Sequence, residues 1–80
     1  MSFSPAQCRA ARGLIDMSQT QLAEAAGVSS RTVLDFEAGK RQPIKATLAA
    51  MQRALEEAGV EFTNGGQAGV RVADKKKRRR

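Results

Sequence analysis

Residues 19–40 read QTQLAEAAGVSSRTVLDFEAGK, two runs of helical periodicity set on either side of a Gly-Val joint that leaves almost no residues for a turn. In the first run Leu22, Ala23 and Ala26 fall on one face, and in the second Val33 and Phe36 do, three residues apart. Gly27 suits the left-handed residue that closes a helix, Val28 can then turn its side chain back toward the core, and Ser29 caps the next helix, which ends at Gly39. The joint docks two short helices rigidly against each other.

Working upstream, Ser18 and Gln21 have the spacing of a capping box, and so do Ser4 and Gln7, with Pro5 at the first helical position between them. A first helix is predicted from Pro5 to about Ile15, with Cys8, Ala11 and Ile15 inward and Gly13 weakening its last turn. Downstream of the polar loop KRQP, a fourth helix is predicted from about Ile44 to Ala58. Its apolar residues Ile44, Leu48, Met51, Leu55 and Ala58 recur at steps of four, three, four and three. Beyond Gly59 the period changes. VEFTNGGQAGVRV, residues 60–72, places Val60 and Phe62 on one side and Val70 and Val72 on another, alternating with Glu61, Thr63 and Arg71 around a Gly-rich loop. Two short strands in a hairpin are expected, and a lone hairpin must pack on the helices or pair with another chain. The chain thus divides into a helical domain over 1–59, a hairpin over 60–73 and a disordered basic tail over 74–80.

Composition removes most chemistries. Eighty residues make one small domain with room for neither a deep water-excluding pocket nor a second, ligand-sensing domain, so no small-molecule ligand is expected. There is no His, Trp or Tyr and one Cys, which excludes the commonest general base, a disulfide and a Cys/His zinc site within one chain. Cys8 reads as a small core residue. No enzyme, cofactor or metal is expected. No apolar run approaches the roughly 20 residues of a membrane span, and MSFSPAQCRAARG lacks the apolar region of a signal peptide, so a cytoplasmic protein without membrane contact is expected. The net charge of +6 resides wholly in the terminal KKKRRR, because residues 1–74 carry eight basic and eight acidic side chains.

Two helices joined by a tight Gly-containing turn form a helix-turn-helix, in which the second helix enters the major groove of double-stranded DNA by its N-terminal end. Here that end presents Ser30, Arg31 and Thr32 away from the core, with Ser29 at the cap beside the phosphates. Arg31 suits a bidentate bond to guanine, worth about 1–3 kcal/mol of discrimination. Its alternative is an i,i+4 ion pair with Asp35, worth about 0.3–0.5 kcal/mol. Asp35 either accepts from cytosine, orients Arg31 or excludes wrong sites. Gln19, at the start of its helix, suits a phosphate contact, against a solvent-facing role. Lys40 and Arg41 flank a loop near the path of the DNA backbone, where they contact phosphate or are merely solvated. Leu34, beside the reading face, touches a thymine methyl or fills an edge of the core. Lys75, Lys76, Lys77, Arg78, Arg79 and Arg80 form a phosphate-binding arm or a solvated tail, a nuclear signal being disfavoured by the bacterial look of the domain.

SQTQLAEAAGVSSRTVLDFEAGKRQP, residues 18–43, resembles the Cro and phage-repressor type (XRE-like) helix-turn-helix regulators, whose pattern is roughly S-Q-x-x-L-A-x-x-x-G-V-S-x-x-T-[IV]-x-x-[FWI]-E-x-G-x-x-x-P. The resemblance extends over about residues 5–58 and implies a mainly α, lambda-repressor-like fold. By position it implies that Gln19 holds a phosphate, that Ser30, Arg31 and Asp35 face bases, that Lys40 and Arg41 grip the backbone, and that Arg12 pairs with Glu37 behind the recognition helix. Family domains usually complete a bundle of five helices, and here the hairpin takes the place of the last. Asp35 stands where many relatives carry a neutral or basic group.

A sequence-specific transcriptional regulator is therefore expected, a repressor by default and an activator if a surface helix touches RNA polymerase. It would act as a homodimer on a partly palindromic operator, with Val60, Phe62, Val70 and Val72 at the dimer interface. One rival is the antitoxin of a toxin-antitoxin pair that autoregulates its operon, and a phage or mobile-element control protein is a variant of the main reading. A general RNA or single-strand binder is disfavoured by the lack of surface aromatics for base stacking.

Overall fold

A computed structural model of the chain describes residues 3–63 and 69–72. Four helices, α1 (Pro5–Leu14), α2 (Gln19–Ala26), α3 (Ser30–Glu37) and α4 (Lys45–Glu57), precede strands β1 (Val60–Thr63) and β2 (Gly69–Val72). The expected helix-turn-helix domain and C-terminal hairpin are both present. The segment Lys75–Arg80, expected to be a basic tail, lies outside the described residues.

The first three helices begin as their sequences dictate. In α1 and α2 the serine hydroxyl accepts from the backbone N–H three residues on, and the glutamine there accepts from the serine backbone N–H, completing capping boxes at Ser4/Gln7 and Ser18/Gln21. Ser29 caps α3 by accepting from the N–H of Thr32 at 3.0 Å. Each cap also has an apolar residue just before it and another at the fourth helical position, the arrangement of a hydrophobic staple: Phe3 with Cys8, Met17 with Leu22, and Val28 with Val33. All six belong to the core or pack against it.

The α2–α3 joint is a Schellman turn. Gly27 adopts φ 74°, its N–H donates to the carbonyl of Glu24, and the N–H of Val28 donates to that of Ala23 at 3.0 Å. The α1–α2 link is made differently, by Asp16 at φ 56°, a left-handed conformation that Asp tolerates better than most residues.

Leu22, Val33, Phe36, Met51, Leu55 and Cys8 are fully buried. The apolar stripe of α4 departs from its predicted ends. Ile44 is the N-cap and is 73 % exposed, and Ala58 is exposed beyond the last turn, whereas Ala54 is buried. Periodicity counts every apolar residue in phase, but only those between the first and last turns have a neighbouring helix to face.

The hairpin pairs Val60 with Val72 and Phe62 with Val70 in antiparallel register. The sequence suggested that its apolar residues stand on two sides and leave a face for a second chain. Instead Val60 is 3 % exposed, and Phe62 and Val70 pack against the helical core. Opposed residues of an antiparallel pair point the same way, so Phe62 and Val70 share a face, and that face lies on α1 and α4. Phe3 closes over it, stacked edge-on to Phe62 at 5.4 Å between ring centroids and tilted against Phe36 at 5.5 Å. On the outer face Arg71 pairs with Glu61. No described helix is long and apolar enough to cross a membrane.

Candidate nucleic-acid interface

Behind α3 the side chains converge on one carboxylate. Glu37, at the last position of α3, has a side chain only 3 % exposed. Arg12 of α1 donates to both of its oxygens, from Nε to Oε2 at 2.6 Å and from Nη2 to Oε1 at 2.7 Å, the fork geometry of the strongest arginine–carboxylate pairs. Arg12 Nη1 also donates to the carbonyl of Met17 at 2.9 Å, which ties the pair to the α1–α2 link. Cys8 Sγ donates to Oε2 at 3.0 Å, and Gln19 Nε2 donates to Oε1 at 3.0 Å. The backbone carbonyl of Glu37 accepts from Arg9 Nη1 at 2.6 Å.

Burial alone would raise the Glu37 carboxyl, but the hydrogen bonds from Arg12, Cys8 and Gln19 outweigh it and hold the group below the ordinary range. The folded pKa is depressed. Its contribution to stability is therefore present above the unfolded value and is lost as the pH falls through the folded one. The bond to Glu37 raises Arg12 against the desolvation that opposes it. Burial, and then the bond and charge of Glu37, push the Cys8 thiol far upward, so it stays protonated and serves as an S–H donor. Cys8 is thus more than the small core residue its sequence suggested.

This network carries the α1–α3 pairing that the resemblance implied, and it reaches the surface at Gln19. Half-buried at the first turn of α2, Gln19 spends one amide hydrogen on Glu37 and keeps another for a surface partner. It lines an open depression of about 320 Å³ together with Thr20, Ser30, Arg31 and Leu34. The N-terminal ends of α2 and α3 therefore open onto one surface, where two sets of unpaired backbone N–H groups carry the positive ends of the helix dipoles.

Of the expected reading residues, Ser30 and Arg31 line this depression, and Thr32 and Asp35 are not among its lining. Ser29 and Ser30 are exposed. Thr32 is half-buried, and its hydroxyl is turned back onto that of Ser29 at 2.9 Å, so in the free protein it reinforces the cap. The Arg31 side chain is 75 % exposed and lies 3.4 Å from the carboxylate of Asp35, whose side chain is 16 % exposed. Lys40 and Arg41 are exposed beyond α3 and have no ion-pair partner among the described residues. Thr20, which no sequence signal marks, and Leu34, which the sequence places at either a core edge or a base contact, both line the depression. Both fall at helical spacing toward the depression, which only the docking of α2 on α3 creates. Among the described residues no cluster of three or more His, Cys, Asp or Glu is placed to hold a metal.

A family model described as helix-turn-helix matches residues 9–62, from within α1 to the middle of β1. No curated protein matches the chain.

Proposed function

Because the chain belongs to the Cro and phage-repressor type (XRE-like) family of DNA-binding helix-turn-helix regulators, we propose that it is a sequence-specific transcriptional repressor that inserts α3 into the major groove of an operator. The observation that carries this reading is the shared depression at the starts of α2 and α3. Gln19, Ser30 and Arg31 there combine a phosphate donor with base-reading side chains on one surface, as a helix that enters a groove by its N-terminus requires. Ser30, Arg31, Thr32 and Asp35 read bases, while Gln19, Ser29, Lys40 and Arg41 hold phosphates. Occluding a promoter needs nothing beyond such a domain. Selection from a pool of randomised duplexes tests it: a preferred sequence should emerge, and failure to enrich any sequence overturns the reading.

The repressor acts as a homodimer. With Val60, Phe62 and Val70 spent on the chain's own core, a second copy has the open edges of the hairpin and its outer face, with Glu61 and Arg71, to pair with. Phe62→Asp would damage the fold and so cannot test dimerisation. Stoichiometry can: two chains should bind a palindromic duplex about 100-fold or more tighter than one chain binds a single half-site. Equal affinity for both would assign a monomer.

Lys75–Arg80 form a phosphate-tracking arm, a proposal that rests on where the charge lies in the sequence. Each phosphate neutralised contributes about 0.9 to the slope of log affinity against log salt, and an arm of transient contacts should supply about 1 to 3 units per chain. A chain ending at Asp74 should therefore bind both selected and random duplexes more weakly and with a flatter salt dependence. Parallel salt plots would show that the tail never touches DNA.

A further inference from the structure

We infer that Leu34 is a specificity-determining residue that reads the C5-methyl group of a thymine in the major groove. The inference rests on the DNA-reading role proposed above and adds a contact to it. Leu34 is 43 % exposed, one of three large apolar residues so exposed among those described, and the only one of them on α3. It stands one turn beyond Ser30 on the same stripe of the helix, next to the stripe that carries Arg31 and Asp35. With Gln19, Thr20, Ser30 and Arg31 it lines the depression between the two helix starts.

A single exposed leucine on a surface needs no explanation. This one lies among the side chains that are desolvated when α3 enters the groove, so it is desolvated with them. Polar base edges left against it would lose water and gain no partner, which is costly. The major-groove face of a base pair offers one apolar group, the thymine methyl, and apolar side chains pair with it. Leu34 therefore favours a T·A pair at the position beside the one Arg31 reads, and disfavours a pair that presents only donors and acceptors there.

The test uses the full chain and two variants, Leu34→Ala and Leu34→Gln, with the duplex enriched from a randomised pool by the wild-type protein. Each thymine of that duplex is replaced in turn by uracil, which removes the methyl group and leaves every hydrogen-bonding edge intact. At one position per half-site the replacement should weaken wild-type binding about fourfold, the effect of one buried methyl-sized group, and neither variant should distinguish the two duplexes there. Melting temperatures only modestly below wild type are expected for both variants, because Leu34 is 43 % exposed and lies outside the core cluster. Indifference of the wild type to uracil everywhere, or variants as sensitive as the wild type, would overturn the inference and leave the repressor reading standing. A variant weakened equally on both duplexes would place Leu34 against a sugar, which also overturns it. Only if the pool yields no preferred sequence do both proposals fall together.

Discussion

Glu37→Ala is expected to destabilise the domain by about 2–4 kcal/mol in urea denaturation. Removing one partner of a buried pair leaves the other charge uncompensated. Here Arg12 would keep one bond, to the carbonyl of Met17, while the Cys8 thiol and the Gln19 amide would lose their acceptor. The Arg12 side chain is 19 % exposed, so water reaches part of the guanidinium and keeps the cost below that of a fully buried ion. For a domain of this size the loss is a large share of its total stability. The pair itself is a different matter. Replacing both residues by methionine removes the stranded charge, so the double variant should recover more than half of the loss. A cost below about 1 kcal/mol for Glu37→Ala would mean that the network orients side chains without holding the helices together.

Arg31→Ala should leave stability unchanged within about 0.5 kcal/mol and weaken binding to a selected duplex by about 1–3 kcal/mol, with preference relaxed at one base position per half-site. In the free protein Arg31, its side chain 75 % exposed, leans toward the largely covered carboxylate of Asp35, 3.4 Å away. Such a pair is worth about 0.3–0.5 kcal/mol and is screened by salt, so the bidentate bond to a guanine outweighs it and draws the side chain into the groove. On the proposed reading, Asp35 would orient that arm or exclude wrong sites. Filter binding against selected and random duplexes separates the outcomes: equal losses on both would make Arg31 a phosphate contact.

Much of this architecture was legible in the sequence because it is specified locally. Ser4 with Gln7, Ser18 with Gln21, and Gly27 before Val28 each satisfy backbone groups within a few residues, so their spacing alone locates the helix starts and the joint. Phe3 was missed because a lone apolar residue outside any repeat carries no period, although its place just before a capping box is the signature of a staple. The orientation of the hairpin was also hidden, since alternation shows that two faces differ but not which one meets the helices. In the site, the pairing of Arg12 with Glu37 came through the family pattern. The bonds of Cys8 and Gln19 to the same carboxylate join residues 29 and 18 positions apart and follow from docking alone.

The three phenylalanines are the only aromatic residues in the chain, and Phe3 touches both of the others. That contact has a consequence for how a newly made chain matures. Phe3 is synthesised before Phe62, so the four helices are made before the last wall of their apolar cleft. The core stays unsealed until β1 and β2 arrive and bring Phe62 against Phe3, a contact between opposite ends of the described chain. Loop closure over such a separation is slow compared with helix formation. Docking of the hairpin ends this interval, and a chain cut before Val60 would leave Phe3 without the ring it meets edge-on and the core open on that side.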